Sequence, residues 1–201
     1  MGILNTIDRR TLVCIFSVLL WLSNPSLAKA TSGVGVHTDL AWTIVDDEFI
    51  GHNNTVQLQP FNAFFVTELQ RDMYLTTHIG WKTISTGASQ GGVAQDIRAV
   101  ELDLGLEYQW RLSKGFKPRL GAGVGYLNAH YSQRFTTDGD GYLLERFDDD
   151  NRNIFLVYLT AAHYWSISRQ WNLGAHVRGS LPFSFSEINY MGIGLSALYR
   201  F

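Results

Sequence analysis

The sequence predicts an all-β fold: eight antiparallel strands in up-and-down order, closed into a transmembrane barrel. Three observations carry that prediction. Apolar residues alternate with polar or ionisable ones in segment after segment, the period of two that gives a strand two unlike faces. The connections between these segments alternate between short and long. The alternation also runs to the last residue, in "GIGLSALYRF": Ile193, Leu195, Ala197, Tyr199 and Phe201 share one face, and Gly194, Ser196 and Arg200 the other, with Leu198 the apolar exception. An untethered chain end gains little from such regularity.

The N-terminal segment reads differently. Asp8, Arg9 and Arg10 precede the apolar run "TLVCIFSVLLWL", and Asn24, Pro25, Ser26, Ala28 and Ala30 follow it. A basic segment, a short apolar core and small residues at the cut predict a secretory signal peptide over residues 1–30, cleaved after Ala28 or Ala30, with the barrel domain at 31–201. The run is too short to span a bilayer, which takes about 20 apolar residues. The single cysteine, Cys14, lies inside it, so the mature chain has no disulfide and no thiolate ligand. Cleavage after Ala30 leaves 13 basic against 17 acidic residues, a net charge of −4 that argues against a nucleic-acid partner.

Each strand is justified in turn. Gly33 to Ile44 sets Val34, Val36, Leu40, Trp42 and Ile44 against Gly35, His37 and Asp39. Thr55 to Thr67 carries Pro60 in mid-run, the mark of a bulge or a change of phase. Met73 to Thr83 sets Leu75, Ile79 and Trp81 against Thr76, His78 and Lys82. Val100 to Leu112 is the clearest, with Val100, Leu102, Leu104, Leu106, Tyr108, Trp110 and Leu112 facing away from Glu101, Asp103, Glu107 and Arg111. Pro118 to His130 opposes Leu120, Ala122, Val124 and Tyr126 to Arg119 and three glycines. Asn153 to Trp165 is apolar on both faces, and Trp171 to Leu181 sets Leu173, Ala175 and Val177 against Asn172, His176 and Arg178. The terminal segment is the eighth.

Short links are expected near Gln70–Asp72, Ser113–Gly115 and Ser168–Gln170; long ones near Val45–Asn54, Ser85–Asp96, Arg134–Asn151 and Pro182–Glu187. Short turns on one side and long loops on the other place both termini in the periplasm. Trp42, Trp81 and Phe183 fall toward one rim, and Trp110, Trp171, Tyr199 and Phe201 toward the other, the two aromatic belts of a membrane barrel. Closure is required because an open edge in lipid leaves backbone groups unpaired, at several kcal/mol each.

These residues resemble small eight-stranded outer-membrane barrels of the OmpA, OmpX and OmpW kind, over nearly the whole mature chain. The resemblance makes Ile193, Leu195, Ala197, Tyr199 and Phe201 an assembly signal read by the barrel-assembly machinery, and implies periplasmic chaperones, outer-membrane lipids and lipopolysaccharide as further partners. It implies a porin-like or structural surface protein, with a narrow conduit for small hydrophobic molecules as the alternative. Oligomeric state is left open.

With these phases, Asp39, Lys82, Glu101, Asp103, Glu107, Arg111, Arg119, Arg178 and Arg200 point into the lumen, joined by His37, His78 and His176. A barrel of eight strands is just wide enough for side chains to fill, so the expectation is a paired polar filling rather than an ion path. On the rim, His130 and Ser132 with Glu145 resemble the catalytic group of lipid A deacylase barrels, with His130 activating the Ser132 hydroxyl. Here, however, the pair enters the longest loop instead of lying near the chain's end, and headgroup contact is the preferred reading. Asp138, Asp140, Asp148, Asp149 and Asp150 offer hard oxygen ligands without the spacing of a calcium loop. No dinucleotide, phosphate or metal-ligand motif is recognisable, so no cofactor and no metal site are expected.

Overall fold

The computed structural model describes residues 32–47, 51–86, 92–181 and 188–201. Among the described residues nine strands form in chain order: β1 Ser32–Asp47, β2 Gly51–Gln70, β3 Met73–Thr86, β4 Val93–Gln109, β5 Arg119–Thr137, β6 Leu143–Arg146, β7 Asp150–Ser166, β8 Trp171–Ser180 and β9 Ile188–Arg200. All pairings are antiparallel, and β1 pairs with both β2 and β9 while β4 pairs with β5. The ring β1-β2-β3-β4-β5-β7-β8-β9 therefore closes on itself as an eight-stranded barrel. The strand outside the ring, β6, pairs among the described residues with the end of β5, opposite Phe135 to Thr137, and extends one loop. The segment read as a signal peptide, and Phe183, lie outside the described residues.

The alternation read from the sequence sets which way each side chain points. On β1, Val34, Val36, Leu40 and Trp42 are exposed while His37, Ala41, Thr43 and Val45 are buried. On β9, Met191, Ile193 and Leu195 are exposed while Ile188, Tyr190, Ser196 and Leu198 are buried. The barrel is thus clad in exposed apolar side chains, up to 71% exposure at Phe155, around a filled interior. Pro60 changes the phase. Pairing along β1 and β2 steps from His37↔Asn62 to Asp39↔Gln59, one extra residue on β2, so inward residues are Gln59 before the bulge and Asn62, Phe64 and Val66 after it. A bulge also tolerates the missing proline donor.

Some boundaries differ from the sequence reading. Val45–Asn54 is mostly ladder rather than loop, since β1 and β2 stay paired out to Asp47↔Gly51. Strand β4 ends at Gln109, so Trp110, Arg111 and Leu112 lie in the turn that follows. That turn is itself a tightened hairpin, with Trp110 N–H donating to Pro118 O at 2.8 Å and Ser113 N–H to Phe116 O at 3.1 Å. At the β2–β3 turn Asp72 adopts φ 65°, a left-handed conformation that Asp accommodates.

The interior is layered. At the long-loop rim, Val45, Ile84, Ile97, Ala99, Leu127, Ala129, Tyr131, Ile154, Leu156, Ile188 and Tyr190 form one apolar cluster. Near the short-turn rim, Phe64, Val66, Tyr74 and Leu198 form a second, with Tyr164 against it. Leu198, the apolar exception of the terminal strand, is fully buried there. Lys82, Glu101, Asp103 and Arg178 occupy the space between, while Arg119 and Glu107 lie among the aromatic rings of the second cluster.

Candidate functional site

The central layer is built around Arg178 of β8. Its Nη2 lies 3.3 Å from Glu101 Oε1 and also bonds Asp103 Oδ2, both on β4. From β3, Lys82 Nζ reaches Glu101 Oε2 at 3.0 Å, and from β9 the Tyr190 hydroxyl donates to Glu101 Oε1 at 2.7 Å. Aromatic faces complete the pairing: Lys82 Nζ is 3.4 Å from the Tyr190 ring centre, and the Arg178 guanidinium 3.9 Å from that of Tyr158. Two cations face two carboxylates, so the layer is charge-balanced. Room for Tyr158 comes from Gly105 and Gly123 on the facing strands, where a Cβ would strike its hydroxyl.

Toward the short-turn rim, Arg119 of β5 is sandwiched between Tyr74 at 3.6 Å and Tyr164 at 5.0 Å, and Glu107 Oε2 lies 3.8 Å from its Nη1. Arg119 is 2% exposed, and this cation is held by two aromatic faces, the Glu107 carboxylate and the Gln109 side-chain oxygen, to which its Nε donates at 3.5 Å. Arg200 sits partly buried at the rim, opposite Gly33 in the β1–β9 ladder. Arg111, expected in the lumen, lies outside it. Its guanidinium donates from Nε at 2.9 Å and Nη2 at 2.8 Å to Asp72 Oδ1, tying the β4–β5 turn to the β2–β3 turn, and that carboxylate raises the guanidinium's proton affinity. The strand ends too early for Arg111 to follow its row inward.

A third group joins β1, β8 and β3. His37 Nδ1 is 3.1 Å from His176 Nε2 and 3.2 Å from Asp39 Oδ2; His176 Nε2 is 2.5 Å from Asp39 Oδ1. His78 Nδ1 stands 3.5 Å from His37 Nε2, and its ring stacks on Phe64 at 5.6 Å. Asn62 Nδ2 donates to Asp39 Oδ2 at 3.3 Å. The sequence reading expected no metal-ligating cluster, yet His37, Asp39 and His176 bring one ligand atom each to within 4.8 Å of one another. A usable signal was present: His37, His78 and His176 each stand five residues in from the short-turn end of their strands.

The rim residues do not converge in the same way. His130 Nδ1 pairs with Asn151 Oδ1 at 2.9 Å, and its Nε2 lies 3.7 Å from Asp149 Oδ2. The Ser132 hydroxyl donates instead to the Asp96 carbonyl at 3.4 Å, and Glu145 sits on β6 opposite Thr136. Asp138 Oδ1 accepts the N–H groups of Asp140 and Tyr142 at 3.0 and 2.8 Å, which folds the loop on itself, while Asp150 pairs with Arg152 at 2.7 Å. On the terminal strand, Ile193 and Leu195 face outward and Tyr199 packs edge-on against Trp171 at 5.1 Å. Phe201 is exposed, its N–H donating to Ser32 O at 3.0 Å.

Comparison with known proteins places this geometry. No protein-family model matches the chain, and no curated protein matches it in sequence. Solved structures do match. Neisserial surface protein A superposes with a TM-score of 0.55 at 10% identity, covering 84% of this chain and 97% of that one. The fold is that of the small outer-membrane barrels. Ail, the attachment invasion locus protein of Yersinia pestis, matches at 0.54 with 14% identity over 86% of this chain and 99% of its own. The outer membrane protein OprG from Pseudomonas aeruginosa matches at 0.53 with 11% identity over 85% and 97%.

Proposed function

We propose that this chain is an integral outer-membrane barrel that acts through its surface loops, with a lumen closed to bulk solute flow. The carrying observation is the layered filling: an apolar cluster at the long-loop end, a paired ionic layer in the middle, and at the short-turn end a second apolar cluster that encloses Arg119 and Glu107. The outward face supports the membrane setting, because a continuous exposed apolar surface is stable only against hydrocarbon. In this reading the short-turn rim and both termini face the periplasm, residues 1–30 direct export and are removed, and the terminal strand recruits the assembly machinery after periplasmic chaperones have carried the chain.

The contact surface is the loop built on β6, which exposes Tyr142, Leu143 and Leu144 beside Asp140, Asp148 and Asp149. One Ail structure holds the heparin analogue sucrose octasulfate. That ligand class does not carry over, since acidic loops repel a sulfated sugar; a cationic or divalent-bridged surface such as lipopolysaccharide fits the charge here. A catalytic role is not part of the proposal, because His130 and Ser132 are engaged by other partners. The test is conductance of the purified mature barrel in planar bilayers. Currents at the level of membrane leakage are expected, and a large, selective single-channel conductance would overturn the closed lumen. Incubation with lipid A checks the second point: acyl release lost in Ser132→Ala would restore the enzyme.

A further inference from the structure

We propose that His37, Asp39 and His176 form a binding site for a first-row divalent metal ion, zinc being the best fit, inside the barrel. The argument starts from the ligand triangle. An ion with ligand bonds of about 2.0–2.1 Å in tetrahedral geometry sets its ligands about 3.3 Å apart. His37 Nδ1 stands 3.1 Å from His176 Nε2 and 3.2–3.3 Å from the two Asp39 oxygens, so two sides of the triangle are already at that spacing. The third side, His176 Nε2 to Asp39 Oδ1 at 2.5 Å, opens by rotation of the carboxylate. Without an ion, N–H groups at His37 Nδ1 and His176 Nε2 can each bond one Asp39 oxygen, but the 3.1 Å contact between the two nitrogens then has no acceptor. A divalent ion between them satisfies all three.

The scaffold favours this arrangement. His37 and Asp39 share the inward face of β1, and His176 lies on β8, with β9 between them. Gly194 of β9 pairs with Asp39 on one side and His176 on the other, and a Cβ at that position would collide with the Asp39 carboxylate and the His176 ring. The missing side chain is what lets the two ligands meet. The outer contacts are those a metal ligand needs: His78 Nδ1 on the second nitrogen of His37, and the Asn62 amide on the second oxygen of Asp39. Charge agrees as well. Among the described residues the ion-pair partners of Asp39 are the two imidazoles, while Arg178, next inward on β8, is taken by Glu101 and Asp103. Two imidazoles and a carboxylate suit zinc, cobalt or iron(II) over calcium or magnesium, which prefer all-oxygen shells.

The experiment refolds the mature barrel in detergent with Zn²⁺, removes excess by dialysis and counts bound metal by mass spectrometry. Co²⁺ is then substituted for its visible absorption. One zinc per chain and tetrahedral cobalt bands are expected, with no retention of Ca²⁺ or Mg²⁺. The double variant His37→Gln/His176→Gln is expected to lose the bound ion, and His78→Gln, which spares the triangle, to bind about 10–100-fold more weakly. His130→Ala, on the outer surface, leaves binding unchanged. Folding of every variant is checked by heat-modifiable gel mobility. No retained zinc in the folded wild type, or undiminished zinc in a folded double variant, would overturn the site; should the double variant not fold, undiminished affinity in His78→Gln and Asp39→Asn would do the same.

Discussion

The long-loop half of the lumen and its middle are both filled, but by opposite means. Near the long-loop rim, Val45, Ile84, Ile97, Leu127 and Ile188 exclude water as the core of a soluble protein does, each fully buried. A few residues further in, Lys82, Glu101, Asp103 and Arg178 fill a buried space with charge. Apolar packing gives a graded response, since losing a methylene costs its transfer free energy plus a term that grows with the cavity left behind. A buried ionic layer is closer to all-or-nothing, because each member stays tolerable only while its partners remain.

Three single substitutions and one combined variant separate these behaviours. Arg178→Met should cost the most, about 3–5 kcal/mol, since Glu101 and Asp103 would be left buried against Lys82 alone. Urea unfolding of the barrel in lipid vesicles measures it. Replacing Lys82, Glu101, Asp103 and Arg178 together with apolar residues should recover much of that loss; a quadruple variant no more stable than Arg178→Met would show that packing, not charge pairing, sets the cost. Gly123→Ala comes next, at about 1–3 kcal/mol, because the added methyl meets the Leu104 carbonyl and the Tyr158 ring. The same titration reads it, and a stabilised variant would mean that Tyr158 is free to move aside. The smallest effect is expected in the apolar half. Ile84→Val should cost about 0.5–1.5 kcal/mol, and a value near that of Arg178→Met would erase the distinction between the two regions.

The strands were legible in the sequence because facing is a local property. Alternation from Val100 to Tyr108 needs only neighbouring residues to be read, and Pro60 announced its bulge in the same way. What was illegible depends on closure. That His37 meets His176 follows from β9 bridging β1 and β8, a relation between residues far apart in the chain. Arg111 was misplaced because alternation says nothing of where pairing stops; the hairpin bond from Trp110 to Pro118 ends the strand before it. The apolar character of both lumen ends was half visible, in Leu198 and in the two apolar faces of Asn153 to Trp165, but alternation alone does not reveal that such residues gather into clusters.

The ladder between β1 and β9 carries a consequence for the order of events in assembly. Its partners, from Gly33↔Arg200 to Val45↔Ile188, come from opposite ends of the described chain, so the first strand made must wait for the last. Until then both strands present a row of bare amides and carbonyls to hydrocarbon, a state too costly to persist unaided. Closing this ladder and entering hydrocarbon are therefore coupled events.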